Sequence, residues 1–169
     1  ITASELRARQ IETVADALRI VPGLTLAQNG GRGALTSLFA RGGESDFTLV
    51  LVDGIRVNAF GGGYDFAHLP VGDIERIEIV RGPQSALYGS DAIGAIVQII
   101  TRHGGPARAD AVFETGSFGT RHLSGTFAGS RNTLSWGGSA ERWSSDGFTG
   151  TAPATGESVT NDDYRLTSA

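Results

Sequence analysis

Strands with one apolar and one polar face constrain this sequence most, and they follow one another from about residue 106 onward. In one of them Leu123 and Phe127 point to one side, whereas His122 and Ser124 point to the other. Because side chains alternate between the two faces of a β-strand, this spacing predicts strands whose faces meet different surroundings. Short turns join most of these strands, and one long polar stretch, 144–163, precedes the last.

Two architectures produce this alternation. In a transmembrane β-barrel the apolar face meets lipid and the polar face lines the lumen. In a soluble antiparallel sheet the apolar face packs on a core and the polar face meets water. The few strands expected here cannot close a barrel, and an open sheet edge is not stable in lipid. The barrel interpretation therefore requires further strands that this sequence does not contain.

The residues before about position 104 have a different pattern, which predicts short helices mixed with strongly apolar strands. Helical spacing predicts a helix from Thr13 to about Ile20. Thr48–Val52 is a buried strand, Asp53-Gly54 predicts a tight turn, and Ile55–Val57 returns as a second strand. Ile74–Val80 alternates apolar and charged residues, which predicts one buried and one wet face. This region is predicted to be a small α+β domain with a mixed sheet.

Composition argues against several function classes. The net charge of −4 disfavours nucleic acid as a partner, and the absence of cysteine excludes disulfides and Cys metal sites. No apolar run of about 18 residues exists, so no transmembrane helix is expected. Nothing resembles a Ser-His-Asp or paired-carboxylate arrangement, and we do not expect an enzyme. The histidines, which form no metal constellation, are His68, His103 and His122.

One long segment and several shorter ones resemble a known family. Ile74–Arg102, which reads IERIEIVRGPQSALYGSDAIGAIVQIITR, closely resembles the end of the plug domain of TonB-dependent receptors. The upstream segments agree in order and spacing; they are VADALRIVPGL at 14–24, QNGGRGAL at 28–35, LFARGG at 38–43 and VLVDGIRVN at 50–58. The resemblance covers residues 1–104, and it implies that residues 105–169 are the first strands of the receptor's barrel.

Membership of this family implies a fold and a location. The complete protein would be an outer-membrane β-barrel of a Gram-negative bacterium, with about 22 strands and a lumen that the plug blocks. Most of that barrel would lie outside this sequence. The family couples uptake to the protein TonB through an N-terminal TonB box. No such box is visible here, and we expect it upstream of Ile1.

The family also implies a function, namely active transport of a large, scarce nutrient across the outer membrane. The QNGG run at 28–31 and the YGSDAIG run at 88–94 are most similar to the cobalamin transporters of the family. A ferric-siderophore transporter or a ligand-sensing signalling receptor of the same family are the alternatives. The expected partners are TonB, the small-molecule ligand and outer-membrane lipid, without nucleic acid, and no cofactor is required.

Similarity to the cobalamin transporters also suggests substrate-contacting positions. Leu35 would give apolar contact and Ser37 a hydrogen bond, while Glu44 replaces a neutral amide and would carry charge. A glycine loop, shorter than in the cobalamin transporters, would contact substrate too; its residues are Gly61, Gly62 and Gly63. The alternative is that Leu35 packs in the plug core and Ser37 merely faces solvent.

Two arginines precede glycines within the family motifs. Arg41 and Arg81 would pair with carboxylates on the inner barrel wall, as such plug arginines do in the family. An Arg held by a carboxylate gives a strong, oriented contact, so the pair is predicted to latch plug to barrel. The alternative is that both are solvated surface residues.

The long polar stretch is expected to be extracellular, and its oxygen-rich side chains suit calcium. Cobalamin transporters bind calcium in this loop. Asp146 and Asp163 match in position, whereas Asn161 replaces an acid and Val159 replaces an amide. The sequence thus predicts a calcium site at Asp146, Asn161 and Asp163, with a solvated loop as the alternative.

Overall fold

A computed structural model describes residues 1–59, 61–89, 91–147, 150–151, 158–159 and 163–168. The chain divides into two compact units, Ile1–Arg102 and His103–Ala169, which are described separately. Among the described residues, no helix combines the length and the apolarity that crossing a membrane requires.

The first unit joins short helices to a mixed sheet. Its helices are α1 (Ala3–Ala8), α2 (Val14–Arg19) and α3 (Ser85–Tyr88), and a 3-10 turn covers Ser45–Phe47. Its strands are β1 (Leu24–Gln28), β2 (Thr36–Ala40), β3 (Thr48–Val52), β4 (Ile55–Arg56), β5 (Ile74–Arg81) and β6 (Ala95–Thr101). β1 and β2 form an antiparallel pair, and the other four strands form a sheet in the order β4-β3-β6-β5. Within that sheet only the β3–β6 pairing is parallel.

Side-chain caps define where the two N-terminal helices begin. Thr2 and Glu5 form a capping box, in which the Thr2 backbone N–H donates to Glu5 Oε2 at 2.7 Å. This hydrogen bond, and a second from the Thr2 hydroxyl, lower the pKa of the Glu5 carboxyl. Thr13 caps α2 by accepting from the Asp16 backbone N–H at 3.1 Å. Helices this short are not stable alone, so caps and packing hold them.

The sheet is buried on both faces at its centre. Val50 and Val97 belong to the main core, whereas Leu49 and Ile96 pack into a smaller cluster on the opposite side. Central parallel strands covered on both faces have continuous apolar runs, which explains the unbroken sequence of β3. The main core is completed by residues of the helices and outer strands, including Leu6, Val14, Leu18, Leu38, Phe66, Ile74, Ile77 and Ile99.

A register shift modifies the predicted alternation of β5. Ile74 pairs with Thr101 and Arg76 with Ile100, so one extra residue lies on the β5 side of the ladder. A bulge of this kind changes which face the following side chains occupy. Ile74 and Ile77 are therefore both buried although they are three positions apart. Alternation alone places them on opposite faces.

The second unit is an antiparallel sheet. Its strands β7 (Arg108–Thr115), β8 (Arg121–Arg131), β9 (Leu134–Ser145) and β12 (Tyr164–Ser168) lie in the order β12-β9-β8-β7. A separate small pair consists of β10 (Gly150–Thr151) and β11 (Ser158–Val159). The prediction of antiparallel strands joined by short turns and a long connection is confirmed for this unit.

Aromatic rings on β8 and β9 lie across glycines of the neighbouring strand. Gly129 pairs with Trp136, and Gly138 pairs with Phe127. A Cβ atom added at Gly129 would lie 2.6 Å from the Trp136 ring, and one at Gly138 would lie 2.9 Å from the Phe127 ring. These glycines are therefore required by close approach of an aromatic side chain, a pairing that stabilises glycine-containing strands.

The Asn58 side chain holds the N-terminal end of β3. Its Oδ1 accepts from the Val50 backbone N–H at 2.6 Å, and its Nδ2 donates to the Thr48 carbonyl at 2.9 Å. Asn58→Ala leaves both backbone groups without this partner, at a cost of about 1–3 kcal/mol. We expect amide hydrogen exchange in β3 of the full-length protein to accelerate about ten-fold, as measured by mass spectrometry of peptides covering 48–52.

Asn29→Ala is the matched control for this prediction. Asn29 is exposed, and within the described part of the chain its side chain makes no hydrogen bond. Its replacement should leave exchange in β3 unchanged. Equal exchange rates in the Asn58→Ala and Asn29→Ala proteins would contradict the role assigned to Asn58.

Candidate functional site

The start of β2 is fixed to the segment that follows the glycine loop. The Thr36 backbone N–H donates to Asp65 Oδ1 at 2.9 Å, and the Phe66 N–H donates to the Thr36 carbonyl at 2.9 Å. Phe66 is almost fully buried, which anchors the segment in the core. Asp65 Oδ1 also accepts from the Ala67 N–H at 3.0 Å. Residues 65–66 therefore lie beside residues 35–37, about thirty positions earlier in the chain.

The glycine loop also approaches the turn before β3. A Cβ atom added at Gly63 would lie 3.1 Å from the Ser45 hydroxyl, so the backbone of the loop is close to that turn. Glu44 caps the turn, because the Phe47 N–H donates to the Glu44 carbonyl at 3.2 Å. The Asn58 Nδ2 reaches the Gly62 carbonyl at 3.5 Å. Three segments distant in sequence thus meet; they are 35–37, 44–45 and 61–66, and we call them the convergent segments.

The predicted contact residues differ in exposure. Leu35 is 54% exposed, so the alternative that it packs in the plug core does not hold in this unit. Ser37 is half-buried within β2, opposite Ala27 of β1. Glu44 and Gly61 are exposed, whereas Gly62 and Gly63 are half-buried. The convergent segments therefore present apolar, hydroxyl, carboxylate and backbone groups, which suits reversible binding of a ligand with mixed polarity.

Three residues of this region were not found by sequence reasoning. Asn58 and Asp65 organise it through side chain to backbone hydrogen bonds, and Tyr64 packs edge-on against Phe66 with ring centroids 4.9 Å apart. Burial, and secondarily the Asp65 charge, raise the pKa of the Tyr64 hydroxyl. The sequence feature that could have identified Asn58 is its position just after the β3–β4 hairpin, where a polar side chain can hydrogen-bond back to β3.

Arg41 and Arg81, the predicted latch residues, lie at two surface positions of the first unit. Arg41 is exposed, has a left-handed φ of 52° and donates its backbone N–H to the Gly23 carbonyl at 2.9 Å. Arg81 ends β5, and its guanidinium donates to the Pro22 carbonyl at 2.6 Å. The carboxylate partners expected for both stay a prediction.

The predicted calcium ligands are described only in part, since Asn161 lies outside the described residues. The Asp146 backbone N–H donates to the Phe118 carbonyl at 2.9 Å, and its carboxylate lies against Gly119. Asp163 is exposed. Within the described ranges, no three His, Asp or Glu side chains are grouped closely enough to hold a metal. The calcium site stays a prediction.

Comparison with known proteins identifies relatives of this chain. It is 48% identical over 101 residues to the vitamin B12 transporter BtuB of Vibrio vulnificus, a match that covers 60% of this chain and 17% of the transporter. Among solved structures, the siderophore receptor PirA of Acinetobacter baumannii is similar with a TM-score of 0.66 and 25% identity, covering 86% of this chain and 24% of that one.

A more distant structure shares the fold. The pyoverdine outer membrane receptor FpvA of Pseudomonas aeruginosa is similar with a TM-score of 0.72 and 17% identity, covering 88% of this chain and 22% of that one. The chain therefore spans about a fifth of the length of these relatives. A plug domain followed by antiparallel strands is the architecture that this chain shares with them.

The family model for the TonB-dependent Receptor Plug Domain matches residues 1–96, which is more than half of the chain. This chain therefore belongs to the TonB-dependent receptor family, and its first unit is the plug domain.

Proposed function

We propose that this chain is the plug and adjoining strands of an outer-membrane importer that takes up cobalamin in a Gram-negative bacterium, driven by TonB. The observation that carries the proposal is the 48% identity over 101 residues to the vitamin B12 transporter. In this proposal the convergent segments contact the ligand. The rest of the plug transmits the presence of the ligand to the side of the plug that TonB engages.

The chemistry of the convergent segments suits cobalamin. The corrin macrocycle has broad apolar faces and a rim of amide side chains. Leu35 offers an exposed apolar contact, and the Ser37 hydroxyl can donate to or accept from an amide. The Glu44 carboxylate accepts amide N–H groups. Backbone groups of the glycine loop add contacts that depend on close approach, which only small residues permit.

In this proposal the Asn58 side chain connects the ligand contacts to the sheet. Asn58 contacts the glycine loop through the Gly62 carbonyl and β3 through Val50 and Thr48. A shift of the loop on binding therefore alters the hydrogen bonds of a strand at the centre of the plug. In the proposed importer this is how an occupied site favours the plug conformation on which TonB acts.

Ferric-siderophore transport is the second candidate, and the similarity to PirA favours it. Many ferric siderophores are anionic. Glu44 and Asp65 are both exposed carboxylates of the convergent segments, and Asp46 follows directly in the turn. Negatively charged carboxylates beside a ligand disfavour an anionic ligand, whereas the neutral amides of cobalamin are compatible with them. Charge therefore ranks cobalamin above anionic siderophores at this site.

Ligand titration of the full-length receptor in detergent tests the proposal. We expect tryptophan fluorescence to report saturable binding of cyanocobalamin, and no binding of anionic ferric siderophores at the same concentrations.

Repeating the titration with and without calcium tests the predicted calcium site, because a loop ordered by bound calcium should strengthen cyanocobalamin binding. Siderophore binding without cobalamin binding would contradict the proposal and establish the second candidate.

Leu35→Ala should weaken cyanocobalamin binding to the full-length receptor about ten-fold, since losing a buried leucine contact costs about 1–2 kcal/mol. Leu87→Ala is the matched control, because Leu87 is 80% exposed on α3, outside the convergent segments. Isothermal titration calorimetry measures both affinities. If the two variants bind equally well, Leu35 is not a ligand contact.

A further inference from the structure

The second unit has an apolar face that is exposed along much of its length. Cross-strand pairing places Phe113 opposite Leu123, and Phe127 and Trp136 occupy the same face because positions two apart on a strand share a face. The apolar face consists of Phe113, Leu123, Phe127, Leu134 and Trp136, with exposures between 39% and 68%. This face requires an apolar environment.

Three arginines continue this face at one end. Arg121 and Arg165 both pair with Ser144 of β9, which lies between them, and Arg142 pairs with Leu123. The three guanidinium-bearing positions therefore share the face of Leu123 and Phe113. They line an open cavity whose other residues are Gly119, Trp143, Ser144, Asp146 and Thr167.

The three arginines form an excess of positive charge. Each is exposed, and over the ranges that the structure describes none has a side-chain hydrogen bond or an ion pair. Asp146 is the single carboxylate among the described residues that line the cavity. Its carboxylate is positioned against Gly119, in the β7–β8 turn. The cavity therefore carries three positive charges against one negative charge.

The spacing of the arginines suits a phosphate group. Adjacent strands lie about 4.8 Å apart, so the backbones of Arg121 and Arg165 are separated by about 10 Å. Arg142 lies two residues from Ser144, about 7 Å along β9. Long arginine side chains that start from these corners can reach a common centre, and guanidinium groups bind phosphate oxygens through paired hydrogen bonds.

We propose that Arg121, Arg142 and Arg165 bind the phosphate headgroup of an anionic lipid whose acyl chains lie on the adjacent apolar face. This partner requires both the arginine cluster and the apolar surface, and the two lie next to each other on one face of the sheet. A water-soluble anion matches the arginines but leaves Phe113 and Leu123 uncovered. A zwitterionic lipid covers the apolar face, but its choline ammonium offsets the phosphate charge and leaves the excess positive charge of the arginines uncompensated. This site is distinct from the convergent segments and does not depend on which ligand they bind.

Native mass spectrometry of the full-length receptor tests this site without any substitution. Dioleoyl phosphatidic acid and dioleoyl phosphatidylcholine carry the same acyl chains and differ only in the headgroup. We expect the anionic lipid to bind about ten-fold more tightly, and inorganic phosphate alone to compete weakly. Equal affinity for the two lipids would overturn the proposal, as would phosphate that displaces the lipid completely at equimolar concentration.

A charge-matched pair of triple variants assigns the effect to these residues. One variant carries Arg121→Gln, Arg142→Gln and Arg165→Gln, and it should lose the preference for phosphatidic acid. The control carries Arg7→Gln, Arg9→Gln and Arg108→Gln, which removes the same charge at exposed positions off the apolar face, and it should retain the preference. Loss of the preference in both variants would show a general charge effect and overturn the site. Far-ultraviolet circular dichroism of each purified variant verifies that it is folded.

Discussion

The parallel pairing of β3 with β6 is the constraint on which the rest of the plug depends. Both strands are buried on two faces, so their apolar residues exclude water from the ladder that joins them. Each end of β3 is then fixed by a polar side chain. At the C-terminal end Asp53 accepts from the Thr101 backbone N–H at 2.8 Å, and at the N-terminal end Asn58 accepts from Val50. A strand held in this way gives the surrounding loops a rigid base.

That rigid base explains why loops distant in sequence form one surface. The turn that begins at Glu44 leads directly into β3, and the glycine loop returns to the same end of the strand after β4. Asp65 then joins the loop to β2 through Thr36. Loops positioned by a buried sheet can carry adaptable contacts while the sheet stays unchanged. Ligand recognition and signal transmission can therefore occupy neighbouring residues of one small domain.

Local patterns in the sequence predicted the elements but not the contacts between them. The β3–β4 hairpin, the capped helix after Thr13 and the antiparallel strands of the second unit follow from turn chemistry and periodicity, which act within a few residues. The bulge in β5 and the Asp65–Thr36 hydrogen bond join residues that are distant along the chain, and no local pattern reports them. The contact residues came from family resemblance, and periodicity could not have supplied them, because an exposed leucine such as Leu35 breaks no local rule.

Hydrogen exchange of the full-length receptor reports whether the three convergent segments form one ligand-binding surface. The measurement compares peptides covering 33–37, 44–47 and 59–66 with and without saturating cyanocobalamin. All three should become protected together, with peptides covering the edge strand β5 unchanged. Protection of one segment alone, or protection confined to other parts of the plug, would contradict a single surface.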